Sequence, residues 1–416
     1  MNIFDELEYR GLIKDYSNAA NIKEMLNTPQ TIYCGFDPSA SSMHMGNFVM
    51  IMTLMRLQRA GHKIIAVVGG ATGMIGDPSG KSAERNLLDK DALRHNTAQI
   101  RAQLEKYLDL SDPQKGEIVN NYDWHGNINV LEFLRDYGKY FTVNYMLAKD
   151  TVARRLETGI SYAEFSYMLL QAVDFLYLYE HYACTMQIGG SDQWGNLISG
   201  LDLIRKVKGA DANVEVMTAH LLTDAEGNKF GKSVDGALFL DAKKFSPYKL
   251  YQYFYNVGDA DAEKYLKVFT FLSKEEIEAI TSEHKEAPHR RLAQTRLAEE
   301  IVTIVHSKEA LLHAQNMSTA LFSGNVKDLS AEDIEDLFAH ALVGLDSDQK
   351  LEDVLITLKA ATSKREAREF IRGNSISVNG ERLTDPELII TKDYLLHDKY
   401  LIIRRGKKNY FVAEVK

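Results

Sequence analysis

Two short segments carry residue types suited to gripping a polyphosphate. His44-Met45-Gly46-Asn47 follows an apolar run, Thr31 to Phe36, and opens a stretch with helical spacing. Backbone N–H groups and the dipole at a helix start favour anions. Lys229-Phe230-Gly231-Lys232-Ser233 is a glycine-containing turn with two lysines. Each segment alone says little. Together they read as two halves of a clamp on a nucleoside triphosphate, one fixed at a helix N-terminus and one bringing cations on a loop. Neither is a Walker loop, since no G-x-x-x-x-G-K-[ST] occurs. No nucleophile–base pair or metal cluster stands at recognisable spacing. Phosphoryl-type chemistry manages without them, because positioning and charge neutralisation supply most of the catalysis.

The elements that must hold this clamp alternate between strand and helix. Residues 31–36 predict a buried strand, residues 45–60 a helix stopped at Gly61, and residues 63–68 a second strand. A glycine-rich loop, residues 69–80, follows. This β-α-β unit predicts parallel strands joined by a right-handed crossover. Residues 184–188 predict another strand, leading into Gly189-Gly190-Ser191-Asp192-Gln193-Trp194-Gly195-Asn196. Ligands of such sheets lie beyond the carboxyl ends of strands, and all three polar loops fall there. The predicted fold is therefore α/β: a Rossmann-like parallel-sheet domain over residues 1–220, then a lysine loop and α-helical domain over 221–322. A linker is predicted over 323–350, where periodicity fades, and a small α+β unit over 351–416.

At 416 residues and 45% hydrophobic composition the chain can bury two or three cores. No run of apolar residues is long enough for a membrane span, and the acidic start lacks the pattern of a secretion signal. Two cysteines, Cys34 and Cys184, without metal-type spacing fit free thiols in a reducing cytoplasm. The net charge is −9, unevenly spread: residues 351–416 hold 13 Lys and Arg against 10 Asp and Glu, a net +3, and the rest carries −12. A mildly basic tail on an acidic body suggests that the tail meets a polyanion, although a small domain without such a partner has the same charge.

Cys34-Gly35-Phe36-Asp37-Pro38, the His44 motif, residues 68–81, Glu164-Phe165-Ser166-Tyr167-Met168-Leu169-Leu170-Gln171, residues 189–196 and the lysine loop together resemble a bacterial-type tyrosyl-tRNA synthetase, a class I aminoacyl-tRNA synthetase. The likeness runs nearly end to end and includes an S4-like RNA-binding tail. It implies tyrosine--tRNA ligation: tyrosine and ATP give tyrosyl-adenylate and pyrophosphate, then the tyrosyl group moves to the 3′ end of tRNA(Tyr). ATP would enter with Mg²⁺ as substrate, with no protein-caged metal or prosthetic group. The family is a symmetric cytoplasmic dimer, for which residues 130–146 offer apolar surface.

In that light His44, Asn47, Lys229 and Lys232 resemble the groups that hold the triphosphate, and Lys81 and Arg85 the cations that close over pyrophosphate. Tyr33 and Asp174 match the pair that meets the phenol hydroxyl; Asp77, Tyr167 and Gln171 match the cradle of the α-ammonium. Cys34, Gly35, Asp37, Gly190, Asp192 and Gln193 resemble contacts to ribose and adenylate, with Gln193 and Gln187 beside the tyrosyl moiety. Tyr167, Gln171 and Asp174 recur on one helical face. Lys364, Arg365, Arg368, Arg372, Arg404, Arg405, Lys407 and Lys408 are candidates for RNA contact, with a solvated charged helix as the alternative for 364–372. Two departures stand out: Asn47 replaces the family's frequent second histidine, and Lys-Phe-Gly-Lys-Ser replaces Lys-Met-Ser-Lys-Ser. A tryptophan-activating enzyme of the same fold and a non-catalytic RNA-binding relative compete with this reading; Tyr33 with Asp174 favours tyrosine, and the intact lysine pair and glycine loop speak against a decayed site.

Overall fold

The computed structural model describes residues 2–80, 88–227, 230–233, 236–338, 341–346, 348–406 and 409–415, with the side chains of Lys232 and Ser233 excepted. They divide into two compact units, Met1–Phe245 with Tyr253–Ile301, and Ser246–Gln252 with Val302–Lys416.

The first unit is built on five parallel strands: β1 (Thr31–Phe36), β2 (Lys63–Val68), β3 (Gly116–Asn120), β4 (Met186–Gly190) and β5 (Glu215–Ala219), in the order β3-β2-β1-β4-β5. β2 is a run of Ile, Ala and Val buried on both faces, as a strand covered by helices on each side requires. The strand order reverses between β1 and β4, and the crevice there is where an open α/β sheet receives ligands. Helix α1 (Met45–Arg59) runs from β1 to β2; α2 (Lys90–Tyr107) precedes β3; α3 (Tyr162–Tyr182) leads to β4; α4 (Trp194–Lys208) follows it. Tyr33, Phe175, Leu178, Leu197 and Val216 sit in one buried cluster joining the sheet to α3 and α4.

The strand expected at 184–188 starts at Met186. The reason lies in the end of α3: the Ala183 and Cys184 N–H groups both donate to Leu178 O, so the chain is still closing the helix. β3 was not foreseen; Gly-Glu-Ile-Val-Asn is too short and too polar to announce a strand. The glycine loop contains a single helical turn, Thr72–Ile75. Both cysteines are free and buried. No helix among the described residues is long and apolar enough to cross a membrane.

In the second unit the strands Glu381–Arg382, Ile376–Val378, Tyr400–Arg405, Asn409–Val415 and Leu342–Leu345 form one sheet in that order. Alternate residues of Tyr400–Arg405 serve opposite faces. Tyr400 and Ile402 pack with Met317 and Ile334, whereas Leu401 and Ile403 pack with Leu351, Leu355 and Ile371. Residues 323–350, read as a linker from the sequence, thus carry the helix Ala331–Phe338 and a strand paired parallel to Asn409–Val415. Asn379 and Gly380, with φ of 48° and 86°, make the tight turn expected after Val378.

Gly69, at the end of β2, is a steric requirement of the crevice: a Cβ there would lie 2.0 Å from Asp37 Oδ1 and 2.4 Å from Thr72 Oγ1. Gly69→Ala is expected to lower the unfolding free energy by about 1–3 kcal/mol, the usual cost of overpacking, measurable by urea denaturation.

Candidate active site

The crevice between β1 and β4 opens into a cavity of about 360 Å³. Its wall includes Tyr33, Cys34, Gly35, Asp37, His44, Asn47, Asp77, Tyr167, Gln171, Asp174, Gly190, Asp192 and Gln193. The candidate residues, scattered over 160 positions of sequence, converge on one space. Gln187 does not: it is buried behind β4, its Oε1 3.4 Å from where a Gly200 Cβ would stand. Lys81, Arg85 and Lys229 lie outside the described residues, as do Lys407 and Lys408 in the tail; the side chain of Lys232 is likewise not described.

At one end of the cavity Tyr33 presents a buried Oη that has no hydrogen-bond partner among the described residues. Burial, and next the charge of Asp174, hold its phenol well above the usual range, so it stays protonated. Asp174 is itself buried and accepts three hydrogen bonds: from Trp124 Nε1 at 2.8 Å and His125 Nε2 at 2.8 Å on Oδ1, and from Asn121 Nδ2 at 3.1 Å on Oδ2. Asn121 also donates to Thr72 Oγ1 at 3.0 Å and accepts from the Ala71 N–H at 2.8 Å. Thr72 Oγ1 in turn donates to Asp37 Oδ1 at 2.7 Å, and Tyr167 Oη donates to Asp37 Oδ2 at 2.7 Å. A continuous chain of polar contacts thus runs Asp174–Asn121–Thr72–Asp37–Tyr167 along the cavity.

Beside Tyr167, Asp77 accepts from Gln193 Nε2 at 2.6 Å, from the Ser79 N–H at 3.0 Å and from Asn196 Nδ2 at 3.4 Å. The Gln171 Oε1 is a buried acceptor without a hydrogen-bond partner among the described residues. Tyr167 is pushed well above its ordinary value by burial and then by Asp37 and Asp77. Burial likewise pushes the Cys34 thiol up to about 12, which leaves it neutral at physiological pH. Gly190 keeps the backbone open beside Asp192, since a Cβ would stand 2.7 Å from Asp192 Oδ1.

The two motifs of the clamp meet. His44 caps α1: its Nδ1 accepts from the Gly46 N–H at 3.0 Å and the Asn47 N–H at 3.3 Å, while Asn47 Oδ1 accepts from the His44 N–H at 3.1 Å. With Nδ1 engaged as an acceptor, the neutral ring carries its proton on Nε2. Gly231, at φ 95°, lies against the backbone of Gly46, where a Cβ would come 3.4 Å from Gly46 N. The Met45 N–H donates to Leu238 O at 2.8 Å and the Leu238 N–H to Gly231 O at 3.0 Å. Phe230 anchors the lysine loop: it is buried, with its ring 4.9 Å from Tyr265 and 5.3 Å from Phe269, and Phe269 stacks at 6.3 Å on Phe48 of α1.

Among the described residues the cavity wall carries four aspartates, 37, 77, 174 and 192, and neither lysine nor arginine. None of the described His, Cys, Asp and Glu side chains group into a metal site. In the tail, Lys364 pairs with Asp353 at 2.7 Å and Arg368 with the buried Glu352; Arg365 is largely exposed near Glu369. Arg372 closes the same helix. Arg404 lies over the Tyr410 ring at 5.7 Å. Arg405 lies near the Phe370 and Phe411 rings and donates to Ala360 O, contacts of packing.

Thr72, Ser79, Asn121, Trp124, His125 and Asn196, which hold the wall residues in place, were not singled out from the sequence. Asn121 to His125 follow β3 just as the recognised loops follow β1, β2 and β4, a signal available once β3 is known.

Comparison with known proteins agrees with this geometry. Residues 24–323 match the family model of tRNA synthetases class I (W and Y), and residues 333–413 match the Tyrosine--tRNA ligase SYY-like C-terminal domain. The "Tyrosine--tRNA ligase" of Bacillus caldotenax is 50% identical over 416 residues, covering 99% of each chain. "Tyrosine--tRNA ligase 1" of Bacillus subtilis is 49% identical over 420 residues and all of both chains. The solved structure of a C-terminally truncated Aspergillus nidulans mitochondrial tyrosyl-tRNA synthetase superposes with a TM-score of 0.69 at 32% identity, covering 77% of this chain and 94% of that one.

Asn121 joins three partners across the crevice floor. Asn121→Ala is expected to lower the unfolding free energy by about 2–3 kcal/mol, since it leaves a buried N–H and a buried carboxylate each short of a partner; urea denaturation of the unliganded protein measures it.

Proposed function

We propose how this cavity works from one premise: the chain belongs to the class I tRNA synthetases for tryptophan and tyrosine, and its activity is that of a tyrosine--tRNA ligase. The observation that carries the assignment of the amino-acid pocket is the buried Tyr33 Oη, without a hydrogen-bond partner among the described residues, sharing a cavity wall with Asp174. A substrate phenol hydroxyl donates to Asp174 and accepts from Tyr33, which its raised pKa keeps protonated. Phenylalanine leaves both unsatisfied. The logic matches the general case of this enzyme family, where discrimination of about 10⁵ needs no editing step.

At the other end the substrate's α-ammonium donates to Asp77, to the Tyr167 oxygen and to Gln171 Oε1. The carboxylate between them is the nucleophile and needs no general base. It attacks the α-phosphorus of ATP, which enters as its magnesium complex; the α–β bridging oxygen leaves with pyrophosphate. Cys34, Gly35, Asp37, Gly190, Asp192 and Gln193 face the ribose and adenylate, the backbone at Gly35 and Gly190 allowing close approach. His44 Nε2–H and the Asn47 amide donate to the phosphates. The aspartate-lined wall repels a polyphosphate, so Lys229 and Lys232, with Lys81 and Arg85, supply the countercharge in the transition state. In the second step a hydroxyl of the terminal ribose of tRNA(Tyr) attacks the tyrosyl carbonyl and AMP departs.

In this proposal residues 1–220 provide the amino-acid and nucleotide site, 221–322 the lysine loop and helical domain, and 351–416 the RNA-facing unit, whose sheet takes in a strand from 323–350. Among the described tail cations Arg365 and Arg372 are the best placed for phosphate contact; Arg368 and Lys364 are engaged by Glu352 and Asp353, and Arg405 by packing. A homodimer is supported by exposed apolar side chains on two short neighbouring helices, Val130–Asp136 and Val143–Leu147, with Val130 68%, Leu131 76% and Val143 62% exposed. The setting is the cytoplasm.

Tyrosine-dependent ATP–pyrophosphate exchange tests the reading. Tyr33→Phe removes one hydrogen bond to the phenol and is expected to lower kcat/KM for tyrosine roughly 3- to 10-fold while leaving phenylalanine unaffected. An unchanged tyrosine-to-phenylalanine ratio refutes the pocket. Lys229→Ala and Lys232→Ala are each expected to slow exchange by about 10²-fold or more, with tyrosine dissociation constants nearly constant. Equal losses in rate and in tyrosine affinity contradict a transition-state role.

A further inference from the structure

We infer that His125 is a positioning residue for tyrosine selection: its Nε2–H fixes the Asp174 carboxylate so that one lone pair is held open for the substrate hydroxyl. The inference rests on the phenol pocket proposed above and extends it to a residue that does not line the cavity.

An ionised carboxylate offers about four lone-pair positions. Three are taken by the protein. Trp124 Nε1 and His125 Nε2, both at 2.8 Å, share Oδ1; Asn121 Nδ2, at 3.1 Å, takes one position on Oδ2. The remaining one, on Oδ2, is what a phenol O–H can use. With the Asp174 carboxylate as the acceptor, His125 presents N–H at Nε2. The pair is almost wholly out of water, with side chains 6% and 5% exposed. Hydrogen bonds to a charged group in such surroundings are the strong ones.

The supports of the three donors differ. The Trp124 indole is clamped flat on Tyr177, centroids 4.5 Å apart and planes 15° apart, and Tyr177 stacks in turn on His181 at 4.1 Å. Asn121 is tied to Ala71 N and Thr72 Oγ1. Both are fixed whether or not Asp174 is present. Trp124 on Oδ1 and Asn121 on Oδ2 hold one oxygen each through a single hydrogen bond. His125 adds a second donor to Oδ1, which narrows the rotation of the carboxylate about its Cβ–Cγ bond further. A displaced Oδ2 loses the phenol contact, and with it the difference between tyrosine and phenylalanine.

The test uses the full-length enzyme in ATP–pyrophosphate exchange with saturating and limiting tyrosine, ATP and phenylalanine. His125→Phe removes the donor at similar volume, and His125→Gln keeps an N–H on a flexible side chain of similar reach. For His125→Phe the expected result is a KM for tyrosine raised roughly tenfold or more, the range for losing a hydrogen bond to a charged group, with KM for ATP and the kinetics of phenylalanine within twofold. For His125→Gln the expected result is recovery of tyrosine KM to within about threefold of the parent. A tyrosine KM unchanged in His125→Phe overturns the inference, as does a loss shared equally by tyrosine, phenylalanine and ATP, the signature of a merely structural role. If His125→Phe does not fold, tyrosine binding to the parent enzyme labelled with ¹⁵N-histidine decides. A buried Nε2–H signal that shifts with tyrosine and not with phenylalanine supports the inference, and its indifference to both overturns it. Tyr33→Phe separates the two levels: an unchanged selectivity there condemns the pocket itself, whereas loss in Tyr33→Phe with none in His125→Phe condemns only the role of His125.

Discussion

The hydrogen-bonded chain Asp174–Asn121–Thr72–Asp37–Tyr167 is the constraint from which the rest of the site follows. It gathers two carboxylates inside a crevice of a parallel sheet, a costly arrangement unless the lone pairs facing protein are met. The donors come from the ends of β2 and β3 and from α3, so the sheet must be parallel and in register for the chain to close. Gly69 is bare for the same reason, because Asp37 and Thr72 occupy the volume of its Cβ. Among the described residues the groups left over are an acceptor position at Oδ2 of Asp174, an acceptor at Gln171 Oε1 and a donor at Tyr33 Oη.

Anionic lining sets the demand for countercharge in this cavity. A wall with four aspartates is suited to an ammonium and hostile to a triphosphate. The cations are placed on the lysine segment, and the fold ties that segment to α1 through neutral contacts, namely Gly231 against Gly46, the Met45–Leu238 hydrogen bond and the buried Phe230. Phenylalanine in Lys-Phe-Gly-Lys-Ser thus has a packing role: a large aromatic side chain seats the loop against Tyr265 and Phe269, and Phe269 carries the contact on to Phe48. Anchor and charge are adjacent in sequence. The backbone is held at Phe230 and Gly231, and the lysines flank the hold.

Much of the cavity was legible in the sequence because its wall is made of consecutive residues at strand ends. Tyr33 to Asp37, His44 to Asn47 and Gly190 to Gln193 each enter as a block, so motif and position coincide. Tyr167, Gln171 and Asp174 were legible for a different reason, helical periodicity on α3. What escaped was the layer behind. Asn121, Trp124 and His125 follow a strand whose five residues include only two buried ones, and their partners are fifty residues away, a distance no local pattern spans. Gln187, placed beside the tyrosyl moiety from the sequence, stands on β4 one residue before Ile188, where the strand begins to line the cavity, and is buried against α4. The tail shows the same limit, since Arg405 and the exposed Arg365 look alike in sequence and only the sheet distinguishes a packed guanidinium from a solvated one.

Asn47 can now be weighed against the histidine that often stands at the end of this motif. Its Oδ1 accepts the His44 N–H, and His44 Nδ1 accepts the Asn47 N–H, so the two side chains close a reciprocal cap. The cap takes up the acceptor of each, His44 Nδ1 and Asn47 Oδ1, and the donors, Nε2–H and the amide NH₂, lie outside it. A histidine at position 47 would offer a donor of the same kind with the option of a positive charge. That option matters little where lysines bring the charge, and the amide has an advantage at the cap, because its oxygen is an acceptor at every pH whereas an imidazole nitrogen loses that role on protonation. The substitution therefore trades a titratable contact for a fixed one. It keeps the proton of His44 on Nε2, the nitrogen free of the cap.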